Sequence, residues 1–398
     1  VNLNDLIRLS NLSSLTDIEM VIEQKLATLK PGAPSPSIEA ILHAIIPYKF
    51  VDHTHADTVL SITNTPNGIN KIKQIYDKDI LIVPYVMPGF ILAKKIVELT
   101  KNIDWDKLTG MILMNHGVFS FGNNAKQSYD RMIKIVTSAE EYLKKEKVWR
   151  NYKKSKANID LLTLAKIRRK ACEMSNKACL ALLNDSNEAV GFSKFKSEKN
   201  LSIDGTLTPD HVIRTKPFAW IIKNDLDVSA NKFIKQYDEY FNKNASKGIK
   251  KLDNGPKWAL WPNYGTISFG SSIKDAQIVY DINRHTIRAM QISFNLDNWE
   301  PISFKNLFDI EYWELEQAKL NKGNSYPEFQ GKIAIITGAA NGIGNAIAKK
   351  MLDNGCTVVG LDKNKKIKEL FSKYDSYEGI LCNLQNTSDI KKAISFCV

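Results

Sequence analysis

The chain has 398 residues, of which 43% are hydrophobic and 25% are charged. This is ordinary globular composition, which excludes a disordered, collagen-like or disulfide-scaffold chain, and the length suffices for two or three domains. The formal net charge is +12, but the lysines are scattered without a sustained basic block, so we expect no nucleic-acid partner. No apolar run reaches the roughly 18–20 residues of a membrane span, so we expect no membrane partner.

The cysteines indicate the cell compartment, and the chain ends indicate whether the sequence is a whole protein. There are five cysteines and no Cys-x-x-Cys pair, which argues against a disulfide framework and a thiolate zinc site and favours a cytoplasmic location. The first thirty residues lack the apolar core of a signal peptide. Because the chain starts at Val1 and ends at Val398, just past a predicted helix, we expect it to be truncated at both ends.

Residues 1–145 alternate helical and strand-like segments. Apolar residues at helical spacing predict helices, and short apolar runs predict strands. Residues 50–62 mix β-branched residues with histidines. The predicted helices here are Ile18–Leu29, Ser37–Ile46 and Asn124–Lys145, and the predicted strands are Asp79–Val86 and Gly110–Met114.

Beyond residue 145 the pattern changes three times. Residues 146–200 are rich in lysine and are predicted to be mostly helical. Residues 201–290 return to strand, turn and helix. A helix and a polar linker follow over residues 304–325, and a strand, a glycine-rich turn and a helix begin at Gly331.

One internal repeat stands out. Residues 115–122 (NHGVFSFG) are similar to residues 263–270 (NYGTISFG), at an offset of 148. Each copy leads into a helix of similar polarity, which predicts two copies of one α/β unit within residues 1–300. His116 of the first copy is matched by Tyr264 in the second. Since a tyrosine does not replace a neutral imidazole on zinc, only the first copy is expected to bind a metal.

Three of the six histidines lie in contexts that suggest a metal. His53 and His55 form an HxH pair, and residues i and i+2 of a strand point to the same face. His116, in a turn at a strand end, would complete a three-imidazole site with an open position, the pattern of catalytic zinc. From spacing alone, an accidental HxH pair on a buried strand stays open as the alternative.

Glu39 precedes His43 by one helical turn. Its carboxylate could move protons at a zinc-bound substrate. It could equally be a first-turn glutamate that favours the helix dipole, and the local sequence favours that second interpretation. His43, His211 and His285 are predicted to be structural.

Residues 36–121 resemble the class II aldolase/adducin family, as in fuculose- and rhamnulose-phosphate aldolases. In that family a glutamate precedes an HxH pair, and a third histidine follows in an NHG-like turn; here His55 and His116 are 61 residues apart. The resemblance implies that His53, His55 and His116 bind Zn²⁺ and that Glu39 is the catalytic acid/base. Adducin, the non-enzymatic branch, lacks these histidines, so their presence favours an enzyme. The Gly-Asn-Ser-type phosphate loop of simple class II aldolases is not found in residues 1–38.

A second motif lies near the C-terminal end. Residues 331–337 are predicted to form a buried strand, and the turn that follows has the spacing TGxxxGxG. Glycines let such a turn pass close to a pyrophosphate at a helix N-terminus. Asp362 ends the next strand and could accept hydrogen bonds from the adenosine ribose, which favours NAD, although the lysines at 363, 365 and 366 leave NADP open.

This pattern resembles the short-chain dehydrogenases over residues 331–398. The usual aspartate after the third strand is Asn383 here. The family's catalytic Ser and Tyr-x-x-x-Lys pair are not found, so the dehydrogenase part is expected to be incomplete. The resemblance implies that the NAD site is lined by Thr337, Gly338, Asn341, Gly342, Ile343, Gly344 and Asp362.

The two parts together resemble the bifunctional rhamnulose-1-phosphate aldolase/short-chain dehydrogenase family. The resemblance implies an α/β fold class: a class II aldolase/adducin-like α/β/α domain with a degenerate internal repeat, then the start of a Rossmann-type doubly wound parallel sheet. The expected layout is a zinc-binding first copy (1–150), a helical insert and degenerate second copy (151–318), a linker (319–330) and a partial dehydrogenase domain (331–398).

The same resemblance implies the chemistry. The aldolase part would cleave rhamnulose 1-phosphate to dihydroxyacetone phosphate and lactaldehyde, and the dehydrogenase part would oxidise the aldehyde with NAD. The partners would be a small-molecule sugar phosphate and further copies of the chain in a homo-oligomer. Two alternatives stay open: an adducin-like binding or scaffold protein, and a dehydrogenase whose aldolase-like region only oligomerises.

Overall fold

The structure is a computed structural model, and its described part forms three separate β-sheets with helices. The strands in chain order are β1 (Phe50–Thr54), β2 (Ile80–Val83), β3 (Gly110–Leu113), β4 (Gly117–Gly122), β5 (Leu180–Asn184), β6 (Trp220–Ile221), β7 (Trp258–Trp261), β8 (Gly265–Gly270), β9 (Ile333–Thr337), β10 (Thr357–Asp362) and β11 (Tyr377–Leu381). The described residues are 1–76, 78–150, 152–199, 201–320 and 327–397.

The helices alternate with these strands. In chain order they are α1 (Leu3–Ser10), α2 (Asp17–Leu26), α3 (Ala40–Ile45), α4 (Asp57–Thr63), α5 (Gly68–Ile75), α6 (Phe90–Thr100), α7 (Ala125–Lys145), α8 (Leu161–Ser175), α9 (Asn187–Lys199), α10 (Val212–Thr215), α11 (Leu226–Asn244), α12 (Ile273–Leu296), α13 (Phe304–Glu311), α14 (Glu314–Leu320), α15 (Gly342–Asp353) and α16 (Thr387–Cys397).

The chain divides into two compact units. The first unit comprises residues 1–152, 202–213 and 285–321, and the second unit comprises the remainder. Among the described residues, no helix is both long enough and apolar enough to cross a membrane. The predicted linker 319–330 includes residues 321–326, which lie outside the described residues.

The first unit is built on a four-stranded sheet with the order β1-β4-β3-β2. β4 pairs antiparallel with both β1 and β3, and β2 runs parallel to β3. β3 and β4 are buried along their whole length, since the apolar run of each packs into a core on both faces of the sheet. This fixes the turn between β3 and β4.

The predicted helices of the first unit are present with shifted ends. α2 begins at a capping box, in which Thr16 and Glu19 exchange side-chain and backbone hydrogen bonds. α7 begins after Asn124, whose side chain accepts from the Gln127 N–H. The helix predicted over 37–46 is shorter and covers only Ala40–Ile45, with Glu39 at its N-cap position.

The second unit repeats the same sheet, with the order β5-β8-β7-β6. β8 again pairs antiparallel with both neighbours, and β6 again runs parallel to β7. Gly122 pairs with Phe50 in the first sheet, and Gly270 pairs with Leu180 in the second. The predicted internal repeat is therefore confirmed at the level of strand order and register.

The expectation for residues 146–200 was incomplete. They were predicted to be mostly helical, and α8 and α9 lie there, but Leu180–Asn184 form β5, the counterpart of β1. The segment is a short apolar run without alternation, and runs of this kind do not distinguish a strand from a buried helix. Its strand identity depends on pairing with β8, which is distant in sequence.

The C-terminal part of the second unit is a parallel sheet with the order β11-β10-β9. β9 was predicted to be a buried strand, and this is wrong: Ile333 and Ile335 are each 46% exposed, whereas Ile336 is only 8% exposed. Because side chains alternate between the two faces of a strand, the face that carries Ile336 packs into the core and the face that carries Ile333 and Ile335 is exposed among the described residues.

Candidate metal centre and nucleotide-binding turn

The strand register brings the three predicted histidines together. Thr54 at the end of β1 pairs with Val118 near the start of β4. His55 therefore follows the end of β1 at the point where the β3–β4 turn presents His116, and His53 lies one residue before Thr54. One nitrogen from each of the three rings lies within 4.8 Å of the other two.

The orientation of His53 is set by its surroundings. Its ring stacks on Phe119 at a centroid distance of 4.1 Å, and its Nδ1 lies 3.0 Å from the Val118 carbonyl oxygen. Because a carbonyl only accepts, Nδ1 holds the proton and Nε2 holds the lone pair. That Nε2 lies 3.1 Å from Nε2 of His55.

Gly117 allows the rings to approach the turn this closely. A Cβ at this position would lie 2.8 Å from His53 Cε1, 2.9 Å from a His55 ring carbon and 2.7 Å from the Thr54 carbonyl oxygen. These distances are below any normal carbon contact. The residue before His116, Asn115, has a φ of 59°, in the left-handed region that asparagine tolerates. The NHG sequence is thus explained by backbone geometry at Asn115 and by ring space at Gly117.

Glu39 lies against the histidines. Its Oε1 is 3.0 Å from Nε2 of His116, and its Oε2 is 3.5 Å from Nε2 of His53. The backbone N–H of Glu39 donates to the Ser37 hydroxyl, and the Glu39 side chain makes no capping bond at the start of α3. The carboxylate is thus directed towards the imidazoles and is only 15% exposed.

The charges in this group are coupled. Burial acts to raise the pKa of Glu39, but the imidazoles, first of all His116, lower that pKa to about 2. Burial lowers the pKa of His53 to about 4, against the opposing effect of Glu39. Burial likewise lowers the pKa of His55, and Asp210 opposes it. At neutral pH the arrangement is therefore an ionised carboxylate beside neutral imidazoles at His53 and His55.

These residues fit a zinc ion. Neutral imidazoles are the form that ligates zinc, and two ligand nitrogens of one tetrahedral zinc lie about 3.3 Å apart when each bond is about 2.0–2.1 Å. The distance of 3.1 Å between Nε2 of His53 and Nε2 of His55 is close to that value. The buried Nδ1 of His116 finds no hydrogen-bond partner within the described part of the chain. Among the described residues, these three histidines form the one group of three or more His, Cys, Asp or Glu side chains that lie close enough together to hold a metal.

The second copy offers different residues at the matching places. Leu183 pairs with Ile267 as His53 pairs with Phe119, so Leu183 is the counterpart of His53. The same register places Asp185 at the position of His55. Tyr264, the counterpart of His116, stacks on Trp261 at 4.4 Å, which is a packing contact.

Sequence reasoning missed several charged neighbours of the site. Asp210 Oδ1 lies 3.9 Å from Nδ1 of His55, and His285 Nδ1 lies 2.5 Å from a carboxylate oxygen of Asp57. Burial lowers the pKa of His211, and the nearby carboxylates of Asp210 and Asp57 act in the opposite direction. Two of the six histidines, His211 and His285, lie in the second half of the chain. They were the only hint in the sequence that this half contributes to the site. Sequence alone did not show that residues beyond 200 return to the first sheet.

The glycine-rich turn after β9 has the shape of a phosphate-binding turn. Gly338 and Gly342 have φ of 65° and 54°, with open space where a Cβ would be. A Cβ at Gly344 would lie 2.3 Å from the Gly338 carbonyl oxygen, so only glycine lets α15 start this close to β9. Asn341 is at the N-cap position of α15 and makes no side-chain cap bond. The first backbone N–H groups of α15 therefore lie at this turn.

Asp362 connects the turn to β10. One carboxylate oxygen accepts from the Ala340 N–H at 3.0 Å, and the other accepts from the Asn364 N–H at 2.9 Å. Ile343, in the first turn of α15, is 81% exposed. The structure thus gathers at one edge of the third sheet the residues predicted for the nucleotide, namely Thr337, Gly338, Asn341, Gly342, Ile343, Gly344 and Asp362.

Family comparisons match three successive regions of the chain. The profile of the class II aldolase and adducin N-terminal domain matches residues 7–143, and that of the class II aldolase second domain matches residues 159–320. The short chain dehydrogenase profile matches residues 332–398. The chain consists of class II aldolase domains followed by a short-chain dehydrogenase domain. The predicted fold class is thereby confirmed, and the chain contains enzyme domains of lyase and oxidoreductase type.

Curated relatives extend this picture. The uncharacterized oxidoreductase YuxG of Bacillus subtilis is 28% identical over 389 residues, which is 92% of this chain and 55% of YuxG. Dehydrogenase/reductase SDR family member 4 of Caenorhabditis elegans is 38% identical over 74 residues, 17% of this chain and 28% of that protein. The chain thus spans about half the length of YuxG.

One solved structure is also similar. It is the N-terminal class II aldolase domain of a conserved protein from Thermoplasma acidophilum, with 40% identity, a TM-score of 0.33, and coverage of 35% of this chain and 64% of that one.

Proposed function

We propose that the first class II aldolase domain is a zinc-dependent aldolase that cleaves a ketose 1-phosphate. The observation that supports this most strongly is the convergence of His53, His55 and His116 on the Glu39 carboxylate. Three imidazole ligands leave a position open for substrate oxygens. A binding or scaffold protein has no need of this arrangement.

In this proposal His53, His55 and His116 hold the zinc ion, which supplies a Lewis acid for the negative charge that develops on substrate oxygens. Retro-aldol cleavage breaks a carbon–carbon bond and leaves an electron pair on the ketone fragment. The ionised Glu39 would accept the proton that the β-hydroxyl of the substrate loses as this bond breaks, and would then return that proton to the carbon that holds the electron pair; in the aldol direction it would remove the proton from that carbon. Its low pKa keeps it ionised at neutral pH, as the removal step requires.

The proposed substrate is rhamnulose 1-phosphate, cleaved to dihydroxyacetone phosphate and lactaldehyde. The fused dehydrogenase domain supports an aldehyde product. Lactaldehyde, water and NAD⁺ would give lactate, NADH and protons, so the second domain would consume what the first produces. The glycine turn from Thr337 to Gly344, together with Asp362, would hold the adenosine part of NAD.

The layout and setting belong to the same proposal. We assign the zinc-binding copy to residues 1–150, the helical insert and degenerate copy to 151–318 and the dehydrogenase part to 331–398. We also propose that the protein acts in the cytoplasm as a homo-oligomer, which light scattering would test.

The test is cleavage of rhamnulose 1-phosphate by the zinc-loaded chain, with dihydroxyacetone phosphate measured through a coupled reductase. We expect activity that a chelator removes and added zinc restores. Glu39→Gln should lower kcat by about 10²–10⁴-fold, the usual contribution of a positioned acid/base, while the variant still binds zinc. Zinc binding without cleavage of any ketose phosphate would contradict the proposal and favour a scaffold.

A further inference from the structure

A carboxylate from the second half of the chain faces the histidine cluster. Asp210 lies in the short helical turn Pro209–His211, within the part of the second half that belongs to the first unit. Its Oδ1 is 3.9 Å from Nδ1 of His55. None of the predicted site residues comes from this part of the chain.

The segment that presents Asp210 is fixed at several points. The Trp299 indole N–H donates to the Asp204 carbonyl oxygen at 2.8 Å, and the Asn64 side-chain amide donates to the Leu207 carbonyl oxygen at 3.2 Å. Immediately after the turn, Val212 and Ile213 pack into a buried cluster with residues of α13. The position of the segment therefore does not depend on the charges at the site.

The Asp210 side chain is itself oriented. The Thr208 hydroxyl donates to Asp210 Oδ1 at 2.7 Å, and Thr208 is 1% exposed. The Oδ1 atom is thus held on the side of His55. The remaining gap of 3.9 Å exceeds a direct hydrogen bond, and a small rotation of the imidazole would bring the two atoms within that distance.

The chemistry of a metal-binding histidine gives this placement a role. A ring that ligates through Nε2 carries its proton on Nδ1, and a carboxylate near that N–H fixes the ring orientation and makes the ligand more basic. For His53 the Val118 carbonyl accepts from Nδ1. We propose that Asp210 does the same for His55 as its positioning residue, so that the second half of the chain completes the metal site. This inference rests on the proposed zinc function.

The test is the zinc affinity of the full chain, measured by competition with a chromophoric chelator. Asp210→Asn should bind zinc about 10–100-fold more weakly, the usual cost of losing such a partner. Asp210→Glu should recover part of the loss, because it restores the carboxylate. Thr208→Val should fall between wild type and Asp210→Asn, since it removes only the hydroxyl that orients Asp210.

Asp204→Asn is the matched control, because it makes the same chemical change in the same segment and keeps the carbonyl that Trp299 binds. It should bind zinc as wild type does. The zinc-free variants should all unfold at the wild-type temperature, which separates positioning from a general loss of structure.

Each other result overturns a defined part of the account. Equal affinity of Asp210→Asn and wild type would overturn the role of Asp210 and leave the three-histidine site in place. Equal weakening of Asp204→Asn would mean that the segment acts only as a structural cover. No zinc binding by wild type would overturn both the inference and the proposed function.

Discussion

His53 is both a core residue and a candidate metal ligand. Its ring stacks on Phe119 inside the first unit, and its side chain is only 12% exposed. Burial disfavours the charged form, which is why its pKa falls to about 4. The same burial that makes protonation costly keeps the Nε2 lone pair available for a metal at neutral pH.

This pKa predicts how the zinc-free protein responds to acid. The unfolded chain binds a proton at His53 near pH 6.5, while the folded chain resists it down to about pH 4, so stability falls as the pH drops through that window. The full contribution is about 3 kcal/mol, because each pKa unit corresponds to about 1.4 kcal/mol. The thermal unfolding temperature of the chelator-treated chain should therefore fall between pH 7.5 and pH 5.

His53→Gln provides the comparison for that experiment. The variant should lose less stability than wild type over the same pH range, since the lowered pKa values of His43, His55 and His211 still contribute. An identical pH dependence in the two proteins would contradict the assignment of this effect to His53.

At the residue scale, sequence reasoning identified the site but not all of its neighbours. The HxH spacing and the NHG turn predicted His53, His55 and His116, and the structure brings these rings together. Glu39 was favoured as a helix-dipole residue on local grounds, and only the family resemblance suggested its catalytic role. Asp210 was missed because its approach to His55 depends on a chain return that leaves no local pattern.

The β3–β4 turn is the element that most directly shapes the metal site. Gly117→Ala would place a methyl group against His53, His55 and the Thr54 carbonyl, so the rings must move apart. We expect zinc affinity to fall at least about 10-fold and the zinc-free chain to lose about 1–3 kcal/mol of stability.

Gly32→Ala is the control for this substitution. Gly32 has a φ of 76°, but nothing lies within 4 Å of its missing Cβ. The variant should lose some stability, because alanine is strained at this positive φ, and it should bind zinc as wild type does. Normal zinc binding by Gly117→Ala would show that the turn does not determine the ring positions.

The glycine turn after β9 predicts a separate effect on the nucleotide. Gly344→Ala would bring a Cβ to 2.3 Å from the Gly338 carbonyl oxygen, so the start of α15 must shift away. NADH binding, followed by its fluorescence, should weaken at least about 10-fold, while zinc binding stays unchanged. Lys350→Ala, an exposed change in the last turn of α15, should bind NADH as wild type does.

At the element scale, strands were harder to predict than helices. The helix of residues 124–145 was predicted almost to the residue, because its apolar positions repeat with helical spacing over many turns. β5 was missed within a lysine-rich region, and the exposure of β9 was not anticipated. Both depend on which strands lie beside them, and this is information that a local window does not contain.

At the scale of the whole molecule, the two aldolase-type sheets share strand order and register but not their ligands. The first copy has three imidazoles, and the second copy has Leu183, Asp185 and Tyr264 at the matching positions. A leucine offers no ligand atom, and the tyrosine is stacked on a neighbouring tryptophan. The duplicated architecture therefore predicts one zinc per chain rather than two.

The zinc content per chain after identical loading tests this account most directly. Wild type is compared with His116→Ala and with Tyr264→Ala. The second variant is the control, because it makes an alanine substitution at the matching position of the second copy. The account predicts about one zinc in wild type and in Tyr264→Ala and little in His116→Ala. Zinc retained by His116→Ala would contradict the joining of the β1 pair to the β3–β4 turn, and no zinc in wild type would contradict the lyase site itself.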